Sequence, residues 1–108
     1  MRSFERRQWE VTEYPFKPGQ ILHSETIYTM GNGLVGVRGS FEEGYPGDSA
    51  LTLAAGIFNQ TPEQIVPELV PLPNWLELHI AINGAWFRLS DGKILGYDRT
   101  LNLKEAVL

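Results

Sequence analysis

Apolar and polar residues alternate along several short runs of this chain, the spacing of half-buried β-strands. The clearest case is Leu76, Leu78, Ile80 and Ile82, interleaved with Glu77, His79, Ala81 and Asn83. Beyond Asn83-Gly84 the alternation continues through Ala85, Phe87 and Leu89. An Asn-Gly pair between two such runs predicts a two-residue type I′ turn, because both central positions need positive φ. The predicted register sets Ile82 opposite Ala85, Ile80 opposite Phe87 and Leu78 opposite Leu89, on one apolar face expected to be core. A slip by one residue would turn that whole set toward water, so the register is strongly specified.

The other elements are read more coarsely. Residues 8–13 alternate as a strand does and stop before Pro15. Residues 27–30 and 34–38 are two runs rich in β-formers, broken by the turn signal Gly31-Asn32-Gly33. The apolar run 50–58 fits helix or strand on propensity alone. Thr61-Pro62-Glu63-Gln64 has the form of a capped helix start, with Thr61 as N-cap and Gln64 closing a capping box. Pro67 removes a backbone donor, so no more than a helical turn is expected there. After a turn at Asp91-Gly92, residues 94–103 predict a further strand. No internal repeat or low-complexity linker is present.

Composition narrows the function classes. At 108 residues the chain is read as a single domain spanning 1–108, with 43% hydrophobic and 20% charged residues, as in a soluble globular protein. A formal net charge of −4 argues against nucleic-acid binding. The one basic cluster, Arg2, Arg6 and Arg7, reads as a solvated chain end. The absence of cysteine excludes disulfides and thiolate chemistry. No apolar run approaches the length of about 18 residues needed to cross a membrane, and no leader pattern opens the chain. A cytoplasmic address is therefore expected, with Asn59-Gln60-Thr61 left unglycosylated.

Four constellations bear on chemistry. Gly31-x-Gly33-x-x-Gly36 fits the dinucleotide fingerprint, but that chemistry requires a helix to begin within the glycines, and Val37-Arg38-Gly39-Ser40 are poor helix formers. A tight connection between strands is the favoured reading, and no cofactor is expected. Glu42-Glu43 is an adjacent carboxylate pair, yet neighbours on a strand point to opposite faces and cannot flank one glycosidic bond. His23 and His79 lack ligand spacing with other donors, so no metal is expected. Trp9, Trp75 and Trp86, with Tyr14, Tyr28, Tyr45 and Tyr97, offer aromatic surface for sugar stacking. Core is favoured for Trp75, and Trp86 is left open between core and the polar face of the hairpin.

The stretch Glu25-Thr26-Ile27-Tyr28-Thr29-Met30-Gly31-Asn32-Gly33-Leu34-Val35-Gly36-Val37-Arg38-Gly39-Ser40-Phe41-Glu42-Glu43 resembles a signature of the N-terminal domain of glycoside hydrolase family 65, the maltose, trehalose and kojibiose phosphorylases and related hydrolases. Similar matches follow, in the family's order, at Leu53-Ala54-Ala55-Gly56-Ile57-Phe58-Asn59, at Glu68-Leu69-Val70-Pro71-Leu72-Pro73-Asn74-Trp75-Leu76, and from Arg99 to Leu108. In the last of these the family usually has Asp where Asn102 stands. The resemblance implies an all-β fold, part of a two-sheet, galactose-mutarotase-like supersandwich built of antiparallel hairpins, and favours strand for residues 50–58.

The same resemblance implies a non-catalytic role beside an (α/α)6 barrel that carries the general acid and the phosphate site, both outside this chain. It also implies a loop facing that barrel, with Gly31, Asn32, Gly33, Arg38 and Glu42 as its candidate residues. The whole enzyme would cleave an α-linked disaccharide with inversion, by phosphate or water. The chain matches only the first part of the sandwich and reads as a natural truncated product or an excised fragment. Uncovered strand edges then lead to an expected homodimer. The alternative is a stand-alone carbohydrate-binding or protein-interaction module.

Overall fold

A computed structural model describes residues 4–108, with side chains from residue 8 onward. In chain order the elements are β1 (Phe4–Arg7), β2 (Glu10–Glu13), a 3-10 turn at Pro18–Gln20, α1 (Ile21–Ile27), β3 (Met30–Gly31) and β4 (Val35–Val37). They continue with β5 (Thr52–Ala54), β6 (Phe58–Asn59), β7 (Glu68–Leu69), β8 (Ile80–Ile82), β9 (Ala85–Phe87), a second 3-10 turn at Leu89–Asp91, and β10 (Arg99–Asn102). The described strands form small sheets in the orders β1-β2-β10, β3-β4-β5, β6-β7 and β8-β9, all antiparallel. The all-β class expected from the sequence holds, with one short helix added. The basic cluster at Arg2, Arg6 and Arg7 lies outside the residues whose side chains are described.

That helix corrects the reading of residues 27–30 as a strand. Ile21, Ser24, Glu25 and Tyr28 are all buried, at the i, i+3, i+4 and i+7 spacing of one helical face. Two of the four are polar, so the face is invisible to a hydrophobic pattern. The β-branched Thr26 and Thr29 are accommodated because their hydroxyls donate to the carbonyls of Leu22 and Glu25 at 2.8 and 3.1 Å. Only Met30 and Gly31 remain extended.

Other boundaries shrink for local reasons. Residues 8 and 9 form the β1–β2 turn, so the strand begins at Glu10. The run 50–58 is strand only over Thr52–Ala54 and again at Phe58–Asn59, because Gly56 turns the chain at φ 82°. The final strand starts at Arg99, five residues later than the pattern suggested. Thr61 to Gln64 is a turn closed by Gln64 N–H to the Thr61 carbonyl (3.1 Å) and Thr61 N–H to the Gln64 side chain (3.0 Å).

The β8–β9 hairpin has the predicted turn and register. Asn83 and Gly84 sit at φ 51° and 80°, and Ile80 pairs with Phe87 and Ile82 with Ala85. The predicted Leu78–Leu89 pair is not formed, because Leu89 enters the second 3-10 turn. The apolar face is not core within this chain. Ile80 is 46% exposed and Phe87 50%. Trp75, expected inside, is 62% exposed. These residues find too little partner surface here, and the shape of the chain agrees. Its radius of gyration is 16.5 Å, against about 13 Å for a compact domain of this length. Its accessible surface is 8166 Å², against about 6,100 Å² for a folded monomer of this mass.

Gly84→Val is therefore expected to strain the turn by about 1–3 kcal/mol. Ile80→Ala, which would cost about 2–5 kcal/mol in a filled core, is expected to fall well below that here. Thermal melts of the two variants check the contrast. A larger loss for Ile80→Ala than for Gly84→Val would contradict the exposed face.

Candidate functional site

The core that this chain does possess is polar. Among the described residues, the buried apolar side chains are Ile21, Tyr28, Phe41 and Leu101, and with them lie Glu13, Ser24, Glu25, Ser40 and Thr52. Two carboxylates organise it, one at the end of β2 and one on α1.

Glu13 is 1% exposed. Its Oε1 accepts from Ser24 Oγ at 2.7 Å, and its Oε2 accepts from Arg99 Nη2 at 3.0 Å and Nε at 3.2 Å. Arg99 also donates from Nη1 to the Gly39 carbonyl at 2.8 Å. Its guanidinium carbon lies 4.6 Å from the Phe41 ring centroid and 5.0 Å from that of Tyr28, within cation–π range of both. Around Phe41 stand Phe16, Tyr45 and Tyr97, with ring centroids 5.3–5.7 Å apart. One ion pair thus ties β2, α1, β10 and the loop after β4 together.

Glu25 is fully buried. Its Oε2 accepts from Arg38 Nη2 at 3.2 Å, and the Ser49 N–H is shared between Oε1 and Oε2 at 3.2 and 3.1 Å. The Arg38 Nη2 also donates to the Leu22 carbonyl at 3.0 Å. The Gly39 N–H donates to the Glu25 carbonyl at 3.1 Å. Buried charges persist where they are paired and hydrogen-bonded, and both carboxylates meet that condition.

Tyr28 closes the centre. Its hydroxyl donates to the carbonyls of Arg99 (3.0 Å) and Val11 (3.2 Å). Burial, reinforced by the nearby Glu13 charge and opposed by Arg99, pushes its pKa up to about 12. The phenol therefore stays protonated and remains a donor. Burial likewise pushes Tyr97 up, with Arg99 pulling against it.

The residues singled out from the sequence do not converge. Gly31, Asn32 and Gly33 form the exposed β3–β4 turn, where Asn32 Oδ1 accepts from the Leu34 and Val35 N–H groups at 2.9 Å each. No helix begins at these glycines; Gly31 pairs with Gly36 across a hairpin. Asn32 bonds the Val35 carbonyl, so Arg38 lies three residues further along, about 10 Å at strand rise. Arg38 is turned inward to Glu25. Glu42 and Glu43 occupy a turn after Phe41 and not a strand, which corrects the alternating-face reading. Glu42 is exposed, and its carbonyl accepts from the Leu78 N–H at 2.9 Å. Among the described residues, no three His, Asp or Glu side chains are grouped to hold a metal ion. Nor, among them, is any helix long and apolar enough to cross a membrane.

Sequence reasoning assigned no role to Glu13, Ser24 or Arg99, and took Tyr28 for possible sugar-stacking surface, whereas it is fully buried. The Glu13–Arg99 pair spans 86 residues of sequence, and no local spacing marks it. The motif itself is better explained by the structure. Thr29, Arg38 and Gly39 each donate to Glu25 near the C-terminal end of α1, so the signature writes out a folding unit. Asn102, where an aspartate is usual, accepts from the N–H groups of Lys104 and Glu105 at 3.0 and 3.1 Å. An aspartate carboxylate would accept the same two bonds.

Comparison with known proteins agrees with this pattern. The sequence profile of the glycosyl hydrolase family 65 N-terminal domain matches residues 11–108. The chain belongs to that family. It is 44% identical over 84 residues to a kojibiose phosphorylase of Caldanaerobacter subterraneus, a match covering 78% of the chain and 11% of the relative. It is 33% identical over 104 residues to a kojibiose phosphorylase of Halothermothrix orenii, covering 96% and 13%. A maltose phosphorylase of Bacillus subtilis is 29% identical over 119 residues, covering 99% and 16%. The family 65 chain thus spans between 11% and 16% of the length of these relatives.

Proposed function

We propose that this chain is the opening, non-catalytic part of an inverting disaccharide phosphorylase or hydrolase acting on α-glucosides, where it supports an (α/α)6 barrel and oligomerisation. The observation that carries the reading is the engagement of every oxygen of both buried carboxylates. Glu13 and Glu25 are committed to Ser24, Arg99, Arg38 and Ser49, which leaves neither free to protonate a leaving group. Glu42 and Glu43 lie side by side on a turn. The α-linked disaccharide and phosphate then meet their chemistry elsewhere in the assembled enzyme, with the β3–β4 turn and Glu42 on the side toward the barrel. The cytoplasm is the proposed setting, where a chain without cysteines forgoes no disulfides.

A scaffold of this kind buries its apolar face against other polypeptide. Leu78, Ile80, Ile82 and Phe87 present such a face on one hairpin. Alone, the chain is proposed to satisfy that surface by pairing with a second copy, since one self-complementary patch serves both. Sedimentation equilibrium across a wide concentration range is expected to show a monomer–dimer equilibrium. A persistent monomer with a well-dispersed NMR spectrum would overturn the reading.

A further inference from the structure

The chain carries five asparagines, Asn32, Asn59, Asn74, Asn83 and Asn102, and two of them, Asn32 and Asn83, are followed by glycine. In an Asn-Gly pair the glycine nitrogen attacks the side-chain amide before it most readily, because glycine has no Cβ to obstruct the approach and has the widest backbone freedom. Both pairs lie on exposed hairpin turns, with Gly33 and Gly84 at φ 86° and 80° and nothing within 4 Å of a Cβ built on either. Exposure therefore does not separate the two. Their hydrogen bonds do. The Asn32 Oδ1 accepts from the Leu34 and Val35 N–H groups at 2.9 Å each, and the Asn32 N–H donates to the Val35 carbonyl at 3.1 Å. That side chain is folded over its own turn, and its Cγ reaches the Gly33 nitrogen only after both bonds to Oδ1 break. Among the described residues, none bonds the Asn83 side chain. Its backbone sits at φ 51°, a left-handed conformation costly to an L-residue and so readily left.

We infer that Asn83 is a self-modifying site of this chain, deamidating through a succinimide with Gly84 while Asn32 is protected, and that the isoaspartyl product undoes the hairpin register. The Gly84 N–H gives its proton to solvent base, and the nitrogen attacks Asn83 Cγ. As the new N–Cγ bond forms, the Cγ–Nδ2 bond breaks, and Nδ2 takes up a proton and leaves as ammonia. One water then opens the imide. Cleavage of the N–Cγ bond leaves an ordinary aspartate, which type I′ turns accept before glycine. Cleavage between the nitrogen and the main-chain carbonyl carbon leaves isoaspartate, in which the main chain runs through Cγ and gains one methylene. A two-residue turn lengthened in this way no longer sets Ile80 opposite Phe87 and Ile82 opposite Ala85.

The test is incubation of the folded 108-residue chain at mildly alkaline pH, with the side-chain amide signals followed by NMR and the products located by peptide mass mapping. The Asn83 signal is expected to disappear first, and the two bonds held by Asn32 to slow its loss by about tenfold or more. In the urea-unfolded chain the two sites are expected to react at similar rates, since both precede glycine. Isoaspartate, measured by enzymatic carboxyl methylation, is expected at position 83. The NMR contacts between Ile80 and Phe87 are expected to be lost from that product and kept in Asn83→Asp. Equal rates in the folded chain, faster loss at Asn32, or a rate ratio unchanged by urea would overturn the assignment. Retention of the Ile80–Phe87 contacts in the isoaspartyl chain would overturn its consequence for the hairpin.

Discussion

Replacing Arg99 by alanine is expected to lower the stability of the chain by about 3–5 kcal/mol, a large share of the roughly 5–15 kcal/mol typical of a domain. The removed guanidinium supplies two of the three hydrogen bonds to Glu13, a third to the Gly39 carbonyl, and stacking contacts with Phe41 and Tyr28. What remains is a carboxylate 1% exposed that, among the described side chains, keeps its hydrogen bond from Ser24. The cost is the uncompensated buried charge more than the value of the pair. The double variant Glu13→Gln/Arg99→Met removes both charges together and is expected to recover part of the loss. Urea denaturation followed by tryptophan fluorescence checks both. An unchanged midpoint for Arg99→Ala would mean that the pair is not buried as described.

Gly39→Ala is expected to have the second largest effect. A Cβ at this position would come within 2.8 Å of the Tyr28 carbonyl oxygen and 3.1 Å of its carbonyl carbon, besides meeting the Tyr28 Cβ. Backbone cannot rotate away as a side chain end can. Any retreat of Gly39 also stretches its bonds to Glu25 and Arg99. Overpacking of this kind costs about 1–3 kcal/mol. Gly19→Ala is the matched control, since nothing lies within 4 Å of its added Cβ, and it is expected to stay within about 0.5 kcal/mol. Equal melting temperatures for the two variants would refute the close approach.

What the sequence revealed follows the range of the interactions involved. The β8–β9 hairpin was legible because its turn chemistry and its alternation are both local, and Asn83-Gly84 permits little else. Helix α1 was not, because Ser24 and Glu25 occupy its buried face and because Ile27, Tyr28 and Thr29 favour strands on propensity. Its polar face is stabilised by Glu13, Arg38 and Ser49, which lie 11, 13 and 24 residues away in sequence. The apolar face of the hairpin was read correctly as a pattern and wrongly as core, since a periodicity shows which residues want burial and not whether a partner is present. The five loop residues were grouped by the motif, whereas the strand between Asn32 and Arg38 holds them apart.

The central proposal is that the chemistry-bearing residues of this family 65 chain hold a fold and do not perform a reaction. The most direct measurement is the release of glucose or glucose 1-phosphate from kojibiose, maltose and trehalose by the purified chain, with and without phosphate. No release is the result expected. Turnover that survives repurification and disappears in Glu42→Gln or Glu43→Gln would contradict it.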